Sequence, residues 1–180
     1  EYVNAEGLSV TWILETHAHA DHLTSAQYLK QRLGGKVAIG EGIRDVQSNF
    51  VSVFNLKAPF SPDGSQFDHL FRDEETFSIG ELTARVMRTP GHTDDSVTYV
   101  VGNAAFVGDT VFMTDYGTAR CDFPGGDAGR LYDSIQALFS LPDDTILYLC
   151  HDYPPDDRAV RCAVPVAEQR ADNIHVGNDA

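Results

Sequence analysis

Three histidines and an aspartate crowd into the segment Thr16-His17-Ala18-His19-Ala20-Asp21-His22, directly after the apolar run that begins at Val10. Val10 to Thr16 is β-branched, aromatic and short, and reads as a buried strand. His17 and His19 lie two apart, so at an extended strand end both project from one face. Asp21 and His22 follow at a turn into a helix. Three imidazoles and a carboxylate thus gather around one small volume, and these are the usual ligands of zinc, iron and manganese. The bland alternative is a run of surface histidines with Asp21 capping the next helix. The spacing His-x-His-x-Asp-His behind an apolar strand is too particular for that reading to prevail.

Three more positions repeat the design. His92 lies in Thr89-Pro90-Gly91-His92-Thr93, Asp109 in Phe106-Val107-Gly108-Asp109-Thr110, and His151 in Leu147-Tyr148-Leu149-Cys150-His151-Asp152. Each follows an apolar strand. Singly, any of them is as well explained as a core histidine or a capping aspartate. Together with the first cluster they make a set that a rigid scaffold presents from its strand ends.

The rest of the chain supplies that scaffold. A helix is predicted from Asp21 to Leu33, stopped by Gly34-Gly35, then a strand over Lys36 to Ile39 and a helix from Glu41 to about Phe54. Ala58 to Gln66 holds two prolines and a glycine and reads as a loop. Phe77 to Thr89 reads as two strands joined at Gly80-Glu81. Ser96 to Val101 and Ala104 to Val107 form a hairpin turning at Gly102-Asn103, a pair that tolerates positive φ. Asp127 to Phe139 carries its apolar residues on one side, as a helix does. Thr145 to Cys150 is the last clear strand, and Val166 to Asn173 a final helix. Hairpins mixed with strand–helix units predict an α/β sandwich with helices outside the sheets. The chain's 180 residues suit one domain, 1–180, with an irregular tail after about residue 174.

Composition narrows the function. A formal net charge of −14 argues against nucleic acid, which needs clustered Lys and Arg. No apolar stretch approaches the roughly 20 residues that span a bilayer, and the N-terminus has no signal-peptide pattern, so a cytoplasmic protein away from membranes is expected. The three cysteines, Cys121, Cys150 and Cys162, have no paired spacing and read as reduced thiols rather than a disulfide framework or a zinc ribbon. The first residue is not Met, so a fragment or processed product is expected.

At these residues the sequence resembles the metallo-β-lactamase superfamily, over about Trp12 to His151. The resemblance implies a four-layer αββα sandwich with metals at one edge of two sheets. That family normally places a hairpin before its first histidine motif, so the expected fold lacks the first N-terminal strands. Within the superfamily, Ala119-Arg120-Cys121-Asp122-Phe123-Pro124-Gly125-Gly126 resembles a segment of the persulfide dioxygenases in their bacterial form, some of which are called β-lactamase hydrolase-like. Cys150-His151-Asp152-Tyr153, and the tail Val166-Ala167-Glu168-Gln169-Arg170 with Asn173-Ile174-His175-Val176, resemble the same branch. Glyoxalase II is the next nearest.

The resemblance implies one iron(II) per chain, held by His17, His92 and Asp109, and oxidation of glutathione persulfide, or a related thiol persulfide, with O2 to sulfite and thiol. His19, Asp21, His22 and His151 then surround the site or stand ready for a second metal. Arg120 is the implied anchor for a substrate carboxylate, because Arg grips carboxylates bidentately; pairing of Arg120 with Asp122 or Asp127 is the equal alternative. Tyr153 is a second substrate-side candidate. Two other readings stay open. One is a zinc hydrolase of thioesters or lactones, with His17, His19 and His92 on one zinc, Asp21, His22 and His151 on another, and Asp109 bridging. The other is a truncated metal-binding domain without turnover. A homodimer is compatible with the resemblance but is not read from the sequence. The chain departs from the pattern at Asp94-Asp95, where many relatives have Pro after His-Thr, and across Arg158 to Val164.

Overall fold

The computed structural model describes residues 1–18 and 23–178. After a short helix α1 (Tyr2–Ala5), the chain runs β1 (Trp12–Leu14), α2 (Ala26–Leu33), β2 (Lys36–Gly40), α3 (Ile43–Val53) and β3 (His69–Phe71). It continues through β4 (Thr76–Ile79), β5 (Leu82–Arg88), β6 (Val97–Val101), β7 (Ala104–Phe106), α4 (Ala128–Phe139), β8 (Ile146–Tyr148), β9 (Ala163–Pro165) and α5 (Val166–Asp172).

Two sheets form. The first is parallel, in the order β1-β2-β3; the second has six strands in the order β4-β5-β6-β7-β8-β9. Side-chain alternation decides what each face covers. On β2, Ala38 faces the second sheet while Ile39 packs with Ile43 and Val46 of α3. Ala38 joins Phe71, Val86, Val97 and Tyr99 in the core between the sheets. The opposite face of the second sheet buries Ala105 and Leu147 against Leu131, Ile135, Leu138 and Phe139 of α4 and Val166 of α5. The layers are therefore helix, sheet, sheet, helix, as the resemblance implies.

Several boundaries move. The first strand is only Trp12–Leu14 rather than Val10 to Thr16. The helix expected from Asp21 begins at Ala26, after non-helical Leu23 to Ser25; the Thr24 hydroxyl accepts from the Ala26 N–H at 3.0 Å and so takes up one of its unpaired donors. Asp21 and His22 themselves lie outside the described residues. β3 and β9 had no expected counterpart. β3 is a three-residue strand between charged neighbours, paired to β2, and β9 ends on a proline, which an edge strand tolerates. The hairpin at Gly102-Asn103 forms as expected, with Val101 opposite Ala104 and Gly102 at φ 59°.

Candidate metal centre

The strand directions bring the polar residues together. β5 and β7 are each antiparallel to β6, and β8 is parallel to β7, so β5, β7 and β8 all point the same way. Their carboxyl ends share one edge, where His92, Asp109 and His151 follow them. β1 of the other sheet ends beside them, because the Val97 N–H donates to the Thr16 carbonyl at 2.9 Å and ties the start of β6 to the residue before His17.

Asp109 is the centre of the arrangement. Its Oδ2 lies 3.7 Å from His17 Nε2, 3.6 Å from His92 Nε2 and 3.6 Å from His151 Nε2. Among the described residues, His17, His92 and Asp109 each place a ligand atom within 4.8 Å of the other two, and His151 reaches Asp109 as well. His19, Asp21 and His22 lie outside the described residues.

Two hydrogen bonds orient the rings. His92 Nδ1 lies 2.6 Å from the Arg120 carbonyl. A carbonyl only accepts, so Nδ1 carries the proton and Nε2 carries the lone pair that faces Asp109. His17 Nδ1 lies 3.1 Å from the Thr16 hydroxyl. Gly108, at φ +56°, permits this closeness: a Cβ there would come within 2.7 Å of Thr16 Oγ1.

These residues fit a cation. Gaps of 3.6–3.7 Å are too long for hydrogen bonds but shorter than twice the ~2.1 Å reach of a nitrogen or oxygen ligand. Asp109 Oδ1 is buried without a hydrogen-bond partner among the described residues. A dry carboxylate oxygen is costly unless something positive compensates it.

The Asp94-Asp95 departure resolves into two different roles. Asp94 pairs with Arg130 of α4 at 2.5 Å. Asp95 is buried, and its Oδ2 accepts from the N–H of Ala18 at 2.8 Å, fixing the backbone just after His17. Burial pushes the Asp95 carboxyl up to about 6, against the hydrogen bonds from Thr93 and Ala18 that favour the charged form. The folded value lies above the unfolded one, so the fold prefers the protonated acid. A destabilisation therefore sets in as pH rises from about 4, is complete above about 6, and amounts to on the order of 3 kcal/mol. Asp95→Asn should remove it: in metal-free protein the variant gains stability over the native chain between pH 4 and 7 and not below. Denaturant titrations at pH 4 and pH 8 giving the same difference would rule this out.

A cavity of about 540 Å³ opens on His92, Asp109 and His151. Its walls are aromatic: Phe112, Tyr116, Phe123 and Tyr153. The Tyr116 and Tyr153 rings pack at 4.6 Å with a 35° tilt, and Phe123 meets the His92 ring edge-on at 5.7 Å. Arg120 also lines the cavity. Its guanidinium forks onto Asp122 at 2.7 and 2.8 Å and covers the Phe123 ring at 4.6 Å. Arg120 and Asp122 are both about two-thirds exposed, so their pairing is a weak surface ion pair that an incoming carboxylate can displace. Cys121 packs partly buried against the main core, and Cys150 and Cys162 are exposed; all three are free thiols.

A two-sheet sandwich carrying a His–His–carboxylate cluster at one edge defines a class of metal-binding α/β protein. The chain belongs to the Metallo-beta-lactamase superfamily, whose sequence profile matches residues 1–151. It is 53% identical to a probable metallo-hydrolase of Burkholderia pseudomallei, covering 97% of this chain and 63% of that protein. It is also 53% identical to a beta-lactamase hydrolase-like protein of Xylella fastidiosa, over 97% of this chain and 40% of that protein. The chain thus spans between two-fifths and two-thirds of the length of these relatives. Human mitochondrial persulfide dioxygenase ETHE1 is 31% identical over 82% of this chain and 51% of its own length. Among solved structures, ETHE1 from Myxococcus xanthus superposes with a TM-score of 0.76 at 32% identity, covering 97% of this chain and 66% of that one. Among the described residues no helix is long and apolar enough to cross a membrane.

Proposed function

We propose that the chain is the metal-binding domain of a non-haem iron persulfide dioxygenase, with His17, His92 and Asp109 as the iron ligands. The observation that carries this reading is the attachment of the Ala119–Phe123 segment to the metal cluster. Arg120 accepts from His92 through its carbonyl and Phe123 packs on the same ring, so the segment that resembles persulfide dioxygenases is built onto a candidate ligand. Two histidines and one carboxylate form the ligand set of non-haem iron oxygenases, with positions left open. Iron bound there supplies the redox change that zinc lacks.

In the proposed reaction the S–S bond of the persulfide breaks. The terminal sulfur is oxidised to sulfite by O2 and water, and the inner sulfur leaves as the thiol: RSSH + O2 + H2O → RSH + SO3²⁻ + 2H⁺. The chain's own groups hold the reactants. The aromatic walls exclude water around the sulfur atoms. Arg120 anchors a carboxylate of the thiol, exchanging Asp122 for it, and Tyr153 offers a hydroxyl beside His151. Asp152 keeps that edge in place, because Arg158 ties it to Asp115 by hydrogen bonds of 2.6–3.0 Å.

A zinc hydrolase is the second reading, favoured by the third imidazole, His151, 3.6 Å from Asp109, since two metals would need more ligands than His17, His92 and Asp109 supply. Metal analysis of protein purified without added metal, with oxygen uptake on glutathione persulfide, decides between them. One iron per chain and oxygen consumption are expected. Zinc-loaded protein that is silent in the oxygen electrode and hydrolyses S-lactoylglutathione would sink the dioxygenase reading.

A further inference from the structure

α5 and the segment after it are fastened to the loop between β7 and α4 by hydrogen bonds from Gln169, Asn173 and Ile174. Gln169 Nε2 donates to the Phe112 carbonyl at 2.6 Å, and Asn173 Nδ2 to the Gly117 carbonyl at 3.1 Å. The Ile174 N–H donates to the Thr114 carbonyl at 3.0 Å. Gln169 and Asn173 are both buried, so these bonds are protected from water. The result is that His175, exposed and beyond the last helix, reaches the rim of the cavity beside the metal cluster.

The ring is then oriented. The Thr118 N–H donates to His175 Nδ1 at 3.1 Å. A backbone N–H cannot accept, so Nδ1 is the lone-pair nitrogen and the neutral ring carries its proton on Nε2. Nε2 has no hydrogen-bond partner among the described residues. The imidazole lies flat on Gly117, at φ +93°, where a Cβ would come within 2.2 Å of Nδ1. A glycine at this left-handed position admits the ring, and any side chain there would expel it.

We propose that His175 is a substrate-binding residue, its Nε2–H donating to a carboxylate of the thiol substrate at the rim of the cavity that opens on the candidate metal cluster. This rests on the thiol-persulfide reading above. The charge pattern supports it. The chain is acidic, with a net charge of −14, yet among the described residues lining this cavity Asp109 is the one carboxylate. Arg120 and His175 supply side-chain N–H donors at this cavity, beside the hydroxyls of Tyr116, Thr118 and Tyr153. A thiol bearing two carboxylates, as glutathione does, matches two such donors across an aromatic floor.

Calorimetric titration of the metal-loaded protein with glutathione, and with glutathione diethyl ester in which both carboxylates are masked, tests the assignment. His175→Ala should weaken glutathione about tenfold or more, the loss of one hydrogen bond to a charged group, and leave the ester unchanged. His175→Gln, whose amide N–H reaches the Nε2 position, should recover to within about threefold. His175→Asn can still accept from Thr118 but falls short of the ligand, and should not recover. His175→Ala binding glutathione as the native protein does, His175→Asn restoring affinity, or equal losses for glutathione and its ester would each overturn the proposal. Failure of the native protein to bind glutathione would instead overturn the underlying thiol reading, and the role of His175 with it.

Discussion

His92→Ala is expected to leave the protein folded but nearly free of bound metal, with affinity lowered at least ~100-fold. Loss of a partner that merely orients a ligand already lowers metal affinity ~10–100-fold, and loss of the ligand itself exceeds that. The ring is buried, its Nδ1 is held by the Arg120 carbonyl, and its Nε2 faces Asp109 at 3.6 Å. His17 and Phe123 contact the ring edge-on at 5.2 and 5.7 Å and hold it in place. Elemental analysis after dialysis against a weak chelator reads the effect directly. Retention of native metal content would show that His92 is a packed core histidine and that the ligand set lies elsewhere.

Gly91→Ala is expected to act on the same residue through the backbone. Gly91 has φ +138°, and a Cβ on it would lie 2.3 Å from the Leu131 backbone N and 2.4 Å from its Cα. Leu131 sits in the first turns of α4, whose capping residue Asp127 donates its N–H to the Gly91 carbonyl at 2.8 Å. Neither backbone can retreat without opening this joint. Positive-φ strain of roughly 1–3 kcal/mol and overpacking of roughly 1–3 kcal/mol together predict a melting temperature lower by on the order of 10 °C. Gly102→Ala is the control, since Gly102 also has positive φ, at +59°, but nothing lies within 4 Å of its Cβ position. Thermal melts of the two variants within about 3 °C of each other would mean that the α4 contact is not tight. In Gly91→Ala the metal content should fall together with stability, because His92 is the next residue.

Much of the scaffold is legible in the sequence because local chemistry determines it. Asp127 caps α4 through its side chain, accepting from the Arg130 N–H at 2.8 Å, and Gly102-Asn103 closes a hairpin by its own backbone preference. Where local signals are weak, tertiary pairing takes over. β3 and β9 are three-residue strands that exist because β2 and β8 offer them an edge. The beginning of α2 shifts to Ala26 because the Thr24 hydroxyl, also bonded to Glu15, supplies the local turn there.

The candidate site divides in the same way. Residues able to bind a metal are readable in the sequence alone, because the apolar strands that run into His17, His92, Asp109 and His151 can be seen one dimension at a time. The sequence also marked Asp94-Asp95 as an anomaly and the Asn173–Val176 tail as a motif, without a role for either. The folded chain adds that Asp109 sits among three imidazoles, that the buried Asp95 holds the Ala18 N–H, and that His175 is carried to the cavity. The reason is physical: ligand chemistry belongs to the side chain, but distance, burial and tautomer are set by residues far apart in sequence, such as Arg120 behind His92 and Thr118 behind His175.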